Sequence, residues 1–108
     1  MSLRWPQKDP DEIMDYSIDW SRLFDGGQTI TSVNWYVYDS DGTKTAFDTP
    51  TTTVNGLTNN RVTNTPTVTT IYLENGTNNE EYKLACSVTL SDSGVRERKV
   101  FIKVRDYD

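Results

Sequence analysis

Two alternating runs in the last quarter of the chain constrain its fold more than any other feature. The first run is Tyr82–Leu90, the second ends with Val100–Arg105, and Ser91–Gly94 supplies a short turn between them. Apolar and polar residues that alternate with a period of two on both sides of a turn are typical of an antiparallel hairpin with one buried face. The residues assigned to that face are Tyr82, Leu84, Cys86, Val88, Leu90, Val100, Ile102 and Val104.

Shorter runs of the same kind recur along the chain, whose 108 residues fit a single domain. Trp35 is the best candidate for a central core aromatic, and a bulge is expected near Thr31 and Ser32, where the apolar phase changes. Tyr82 opens the penultimate strand close to Cys86, a place where many immunoglobulin-like domains have a tyrosine. The pattern predicts an all-β fold, an immunoglobulin-like antiparallel β-sandwich of about seven strands with an extended N-terminal arm.

The same alternation predicts which side chains form the core. Residues 43–66 are polar, rich in threonine and weakly periodic, and they are predicted to hold short strands at Lys44–Phe47, Thr51–Val54 and Leu57–Val62. The predicted core comprises Ile18, Trp20, Trp35, Ile71, Leu73, Leu84, Cys86, Val88, Val100, Ile102 and Val104.

The first residues differ from the rest, and we assign residues 1–12 to an extended arm and residues 13–108 to the sandwich domain. Each proline of the arm restricts the residue before it, Trp5 or Asp9, to an extended conformation. Two interpretations of Trp5 stay open: its ring folds back onto its own domain, or it anchors the arm to another protein chain. Under the second interpretation the partner-binding residues are Trp5, Pro6, Lys8, Asp9 and Pro10.

The side chains that catalytic sites and metal sites usually need are missing from the sequence or isolated in it. The sequence has no histidine and one cysteine, Cys86, whose place on the buried face suits a small core residue. The lack of histidine argues against Ser-His hydrolases and zinc sites, and the sixteen carboxylates stand in no motif with mechanistic spacing. The turn Asp39–Gly42 matches the start of a calcium loop, but the twelfth position is Pro50 rather than a carboxylate. We therefore predict no enzymatic activity, catalytic residue, cofactor, metal site or small-molecule substrate.

Charge and hydropathy limit the partners. The net charge is −5, and the basic cluster of the last strand is more typical of a protected sheet edge than of a nucleic-acid interface. No apolar run approaches the about 20 residues that cross a bilayer, and the start of the chain lacks a signal-peptide core. We expect a soluble protein, made in a cytoplasm, that binds neither nucleic acid nor membrane. The basic cluster comprises Arg96, Arg98, Lys99, Lys103 and Arg105.

Two segments carry a resemblance to a known family. The opening Trp5–Glu12, followed by Asp15–Trp20, resembles the start of small proteins encoded in the structural-gene clusters of tailed bacteriophages. The segment Ile71–Thr77 and the terminal hairpin Tyr82–Val104 are similar to the corresponding parts of these proteins. Members are described as fibre–tail adaptors or minor virion proteins with an immunoglobulin-like fold, and the chain differs from them in a longer middle, residues 39–66.

The resemblance implies a non-enzymatic structural or adaptor protein of a bacteriophage virion, made in the host cytoplasm. It would join tail, neck or fibre components through protein–protein contacts and be present in several copies. An extended arm suits this role because it can add a strand to a neighbour or wrap around it. The alternative is a carbohydrate- or receptor-binding immunoglobulin-like module, including capsid decoration, in which Tyr36, Tyr38 and Tyr72 serve as stacking platforms.

Overall fold

The computed structural model describes residues 3–24, 26–39 and 41–106. Met1 and Ser2 of the predicted arm, Ser40 of the turn Asp39–Gly42, and Asp25 and residues 107–108 of the predicted domain lie outside the described residues. Nine strands and one 3₁₀ helix, η1, follow one another within the described ranges. They are β1 (Leu3–Arg4), β2 (Met14–Asp19), η1 (Ser21–Leu23), β3 (Ile30–Tyr38), β4 (Lys44–Ala46), β5 (Thr53–Val54), β6 (Leu57–Asn64), β7 (Val68–Asn75), β8 (Glu81–Leu90) and β9 (Val95–Lys103).

The strands form two sheets that enclose one hydrophobic core. The five-stranded sheet has the order β1-β9-β8-β3-β4, and the four-stranded sheet has the order β2-β7-β6-β5. Neighbours pair antiparallel except for β1, which lies parallel to β9. The predicted all-β sandwich is confirmed; the described residues form nine strands rather than about seven, and three of them, β1, β4 and β5, are only two or three residues long.

The strand order is that of an immunoglobulin domain. The row β9-β8-β3-β4 corresponds to strands G, F, C and C′, and the row β2-β7-β6 corresponds to strands B, E and D. Trp35 on β3 lies opposite Cys86 on β8, which are the strand C and strand F core positions of that fold. The antiparallel register shifts between Ile30 and Ser32, so the predicted bulge is confirmed.

A tyrosine corner fastens the start of β8 to the preceding loops. The Tyr82 hydroxyl donates a hydrogen bond to the Asn55 carbonyl oxygen at 2.6 Å and accepts one from the Thr77 N–H at 2.8 Å. Many immunoglobulin-like domains join the loop before strand F to that strand through such a hydroxyl. The position of Tyr82 in the sequence had suggested this role, and the geometry confirms it.

Every predicted core residue is buried. The sequence prediction missed Phe47 and Leu57, which are fully buried although they lie in the threonine-rich stretch. Asn59, also fully buried, donates from Nδ2 to the Phe47 carbonyl oxygen at 2.7 Å. This bond ties the segment that crosses from β4 toward β5 to strand β6, so the least regular part of the sequence still contributes to the core.

Candidate docking surfaces

Residues 3–8 of the N-terminal segment lie along its own domain. Leu3 pairs with Val100 of β9, and the Trp5 N–H donates to the Phe101 carbonyl oxygen at 2.9 Å. Further along, the Lys8 N–H donates to the Lys103 carbonyl oxygen at 3.0 Å. The segment therefore covers part of the outer edge of β9.

Trp5 belongs to the core of the sandwich. Only 8% of the residue is exposed, and its ring stacks on Tyr16 of β2 and lies 6.1 Å from the ring of Trp35. The Tyr16 hydroxyl also donates to the Pro6 carbonyl oxygen at 3.2 Å. This geometry agrees with the first interpretation of Trp5, in which its ring folds back onto its own domain.

Lys8 is fully buried, which its charged surroundings in the sequence did not suggest. Its Nζ donates to the carbonyl oxygens of Asp9 at 2.8 Å and Asn75 at 2.7 Å. Burial lowers the pKa of Lys8 below its ordinary value, and the carboxylates of Glu12 and Asp9 act in the opposite direction. The ammonium group thus links the arm to the end of β7 from inside the protein.

The acidic residues that follow form a closed turn. Asp9 Oδ1 accepts a hydrogen bond from the Asp11 N–H at 2.8 Å, and the Asp9 N–H donates to Glu12 Oε1 at 3.3 Å. The Glu12 N–H in turn donates to the Asp9 carbonyl oxygen at 3.0 Å. The side-chain bond to Asp11 is that of an Asx turn, and the main-chain bond closes a β-turn over Asp9–Glu12, so the motif Asp-Pro-Asp-Glu has a local structural role.

The five predicted partner-binding residues therefore divide into two groups. Trp5 and Lys8 point into the domain and hold the segment in place. Pro6 is exposed, and Asp9 and Pro10 are half-buried at the surface. The structure brings the five together as one ordered segment, and a partner could contact only its outer side without unfolding it.

A row of alternating cations and aromatic rings crosses the outer face of the five-stranded sheet. Lys83 Nζ lies 4.5 Å from the ring centroid of Tyr38 and 6.0 Å from that of Phe101, and the guanidinium of Arg4 lies 5.6 Å from the Phe101 centroid. The strand register places Lys83, Phe101 and Arg4 next to one another on β8, β9 and β1. At the opposite edge Lys44 lies 4.5 Å from the ring of Tyr36.

Positive charge prevails on this face, although the chain as a whole is acidic. Two carboxylates project from it: Glu81 pairs with Arg4 at 2.5 Å, and Glu97 pairs with Lys44 at 2.6 Å. A further carboxylate, Asp48, accepts a hydrogen bond from Asn34 at 2.9 Å beside β4. The cations that the strands place on this face are Arg4, Lys44, Lys83, Lys99 and Lys103.

The outer face of the four-stranded sheet has the opposite character. Asp15, Asp19 and Glu74 project from β2 and β7, and the cation that the strands place among them is Arg61, 4.1 Å from the ring of Tyr72. Hydroxyl pairs fill much of the remaining face. These pairs are Ser17 with Thr70 and Thr53 with Thr58, each at 2.8 Å.

The three tyrosines considered as stacking platforms do not form one site. Tyr36 and Tyr38 lie on the five-stranded sheet and Tyr72 on the other sheet, so their rings face opposite directions. Each ring also has a cation over it, contributed by Lys44, Lys83 or Arg61. A sugar that stacked on one of these rings would first displace the cation.

Cys86 and the acidic turn have structural roles. Cys86 is fully buried, its thiol donates to Thr69 Oγ1 at 3.6 Å, and burial raises the pKa of this thiol to about 12. Asp39 Oδ1 accepts hydrogen bonds from the main-chain N–H groups of Asp41 at 2.9 Å and Thr43 at 3.0 Å, as in an Asx turn. Across residues 3–24, 26–39 and 41–106, no helix has the length and apolar character needed to span a membrane.

The fold and its surfaces define the class of a structural or binding module: an immunoglobulin-like sandwich with two broad polar faces and an ordered N-terminal segment. The family described as "Podophage GP4 fiber-tail adaptor protein gp77" matches residues 8–103, and the chain belongs to this family. The resemblance found in the sequence is thereby confirmed, and the chain has a structural adaptor role in a phage particle. No curated protein matches the chain.

Proposed function

We propose that the chain joins a tail or neck component of a bacteriophage particle to a fibre component through protein–protein contacts and without catalysis. It is made in the host cytoplasm and takes its place in the virion in several copies. The observation that carries this proposal is the family match over residues 8–103, which covers both sheets of the sandwich.

The geometry supports a joining role because the contact surfaces are separate. The outer faces of the two sheets and the outer side of the N-terminal segment are separate surfaces, so molecules bound to some of them leave the others accessible. Stable interfaces need about 800 Å² from each partner, and a domain of this size can supply that area on more than one side. The polar side chains described above are engaged in turns, hydroxyl pairs and cation–aromatic contacts rather than in a catalytic arrangement.

The N-terminal segment is part of the proposal. Trp5 and Lys8 fix the segment to its own domain. Pro6, Asp9 and Pro10 lie on the outer side of the segment and contact the neighbouring subunit. A segment already ordered in the free protein loses little conformational entropy when a partner covers it. Under this proposal Trp5 acts as an anchor within its own domain, since leaving the core would expose a large apolar ring.

Particles produced without this protein test the adaptor role. They are expected to have heads and tails but no fibres in electron micrographs, and purified wild-type chain added in trans is expected to restore fibre attachment. Fibres present in normal number on particles that lack the protein would contradict the proposal.

The contact made by the segment is tested with Pro6→Glu, matched to Pro50→Glu at an exposed proline between β4 and β5. Both variants are expected to fold, and only Pro6→Glu is expected to lower the amount of protein in purified particles, measured by quantitative mass spectrometry. Equal incorporation of the two variants would assign the contact to another surface.

A further inference from the structure

The two sheets have outward faces of opposite charge, and this arrangement has a consequence for how copies of the chain meet. The five-stranded sheet presents Lys83, Lys99 and Lys103 with the aromatic rings between them, while the four-stranded sheet presents Asp15, Asp19 and Glu74. Opposite potentials on two surfaces attract one another and fix the orientation of an encounter.

We infer that the outer face of the five-stranded sheet docks on the outer face of the four-stranded sheet of a second copy of this chain. This inference deepens the multi-copy part of the proposed function and rests on it. Each copy uses both faces, so the contact is head-to-tail and repeats from one copy to the next.

A symmetric contact between identical faces is disfavoured by the same charges. Two basic faces brought together would place Lys83 and Lys99 of each copy against cations, and two acidic faces would oppose their carboxylates. Like charges in direct contact cost free energy, so a two-fold dimer through either sheet face is unfavourable. Head-to-tail docking pairs the charges instead.

The size of the faces fits the contact. β8 and β9 have ten and nine residues, and strands of that length extend for about 30 Å. The three long strands of this sheet, β3, β8 and β9, spaced about 4.8 Å apart, give a face of about 400 Å² in projection, which the short strands β1 and β4 widen at its edges. Side-chain relief adds to this area, and the contact belongs to the small class of interfaces, below the about 800 Å² per partner of a standard one.

The aromatic rings supply the apolar part of the contact. Tyr36, Tyr38 and Phe101 are half-buried on the basic face, and Tyr72 is half-buried on the acidic face. Aromatic residues are enriched where protein interfaces are fully covered. The cations above these rings move to the carboxylates of the second copy on docking, and the rings are then covered by protein instead of water.

Two charge-reversal variants test the inference. Lys83→Glu/Lys99→Glu makes the basic face acidic, and Asp15→Lys/Glu74→Lys makes the acidic face basic. Either variant alone has two faces of the same sign, so each is expected to be monomeric. Mixed together, the two variants again offer opposite faces, and the mixture is expected to associate.

The measurement is sedimentation velocity at about 20 mM and about 300 mM salt, since screening shortens the range of charge attraction. Wild type is expected to associate at low salt and to dissociate at high salt. Arg96→Glu/Arg105→Glu is the matched control, because it changes the net charge as much as the lysine variant, at the start of β9 and beyond its end, and leaves the row of rings intact. It is expected to associate as wild type does.

Three outcomes would overturn the inference: a monomeric wild type at low salt, a mixture of the two variants that stays monomeric, or a control that loses association as the lysine variant does. Urea unfolding of each variant distinguishes a loss of association from a loss of folding. A double variant that does not fold is replaced by a single substitution, Lys83→Glu or Asp15→Lys. None of these outcomes decides whether fibres attach to particles, so failure of this inference is distinguishable from failure of the adaptor role.

Discussion

The indole ring of Trp5 stacks on the phenol ring of Tyr16, with the ring centroids 4.8 Å apart and the ring planes inclined by 16°. Trp5 follows β1 of the five-stranded sheet, and Tyr16 lies on β2 of the four-stranded sheet. The pair therefore joins the two sheets along the side where β1 and β2 are edge strands. The N-terminal segment is a structural part of the sandwich in this arrangement.

Trp5→Ala is expected to lower the free energy of unfolding by about 3–5 kcal/mol, the cost of removing a large buried aromatic side chain. Pro6→Ala, at the exposed neighbouring position, is expected to change it by less than about 0.5 kcal/mol. Urea unfolding followed by tryptophan fluorescence measures both. A chain that begins at Ile13 should be destabilised at least as much as Trp5→Ala, and an unchanged midpoint would contradict the packing described here.

Tyr82→Phe removes a hydroxyl and leaves the Asn55 carbonyl oxygen and the Thr77 N–H without their partner. We expect a loss of about 1–3 kcal/mol, because both groups lie in a partly buried corner. Tyr36→Phe is the matched control on an outer face, with an expected change near zero. Equal effects of the two substitutions on the thermal unfolding midpoint would show that the tyrosine corner does not stabilise the fold.

Lys8→Met keeps the apolar stem of the side chain and removes the ammonium group. The carbonyl oxygens of Asp9 and Asn75 then lose their donor, and we expect a loss of about 1–3 kcal/mol. Lys99→Met, on the outer sheet face, is expected to have little effect. If Lys8→Met were as stable as Lys99→Met in urea, the buried ammonium would contribute nothing net to the fold.

The burial of Cys86 makes the free energy of unfolding decrease as the pH rises through the alkaline range. Its thiol keeps its proton in the folded protein up to a pKa of about 12, whereas the unfolded chain releases that proton near its ordinary value of 9.0. The unfolded state is therefore favoured as pH rises above about 9, and stability falls between the two values. A Cys86→Ala variant should lack this part of the pH dependence when midpoints at pH 8 and 10.5 are compared.

The same burial predicts that a thiol reagent at pH 8 modifies Cys86 in urea but not in the native protein. Rapid modification of the native chain would contradict the burial of Cys86 between the sheets.

The sequence predicted the fold well wherever one face of a strand is buried. Alternation in β8 and β9 identified the hairpin and its core positions, because the period of two is read directly from the residues. The stretch 43–66 was harder: Phe47 is buried just after β4, where the chain crosses between the sheets and no periodic pattern marks the crossing, and Leu57 opens β6 beside the buried polar residue Asn59. The bond from Asn59 to the Phe47 carbonyl oxygen joins residues distant in the sequence.

The sequence left open which way the N-terminal segment faces, and its role in binding a partner stays a prediction. The motif from Trp5 to Glu12 was distinctive because its prolines restrict the backbone locally. Its contacts depend on Tyr16, Asn75 and Lys103, and nothing in the segment itself encodes those partners. The buried Lys8 is the clearest case, because a lysine among carboxylates normally lies in solvent.

The parallel pairing of β1 with β9 determines how the protein resists mechanical force. Residue 3 and residue 106 leave this pair in opposite directions, so tension applied between them shears the two strands past each other. The bonds from Trp5 to Phe101, from Lys8 to Lys103 and from Arg105 to Lys8 are then loaded together rather than broken one at a time. Under the proposed adaptor role, tension between these two residues is therefore borne by three bonds acting in parallel, which is the arrangement that resists a steady pull.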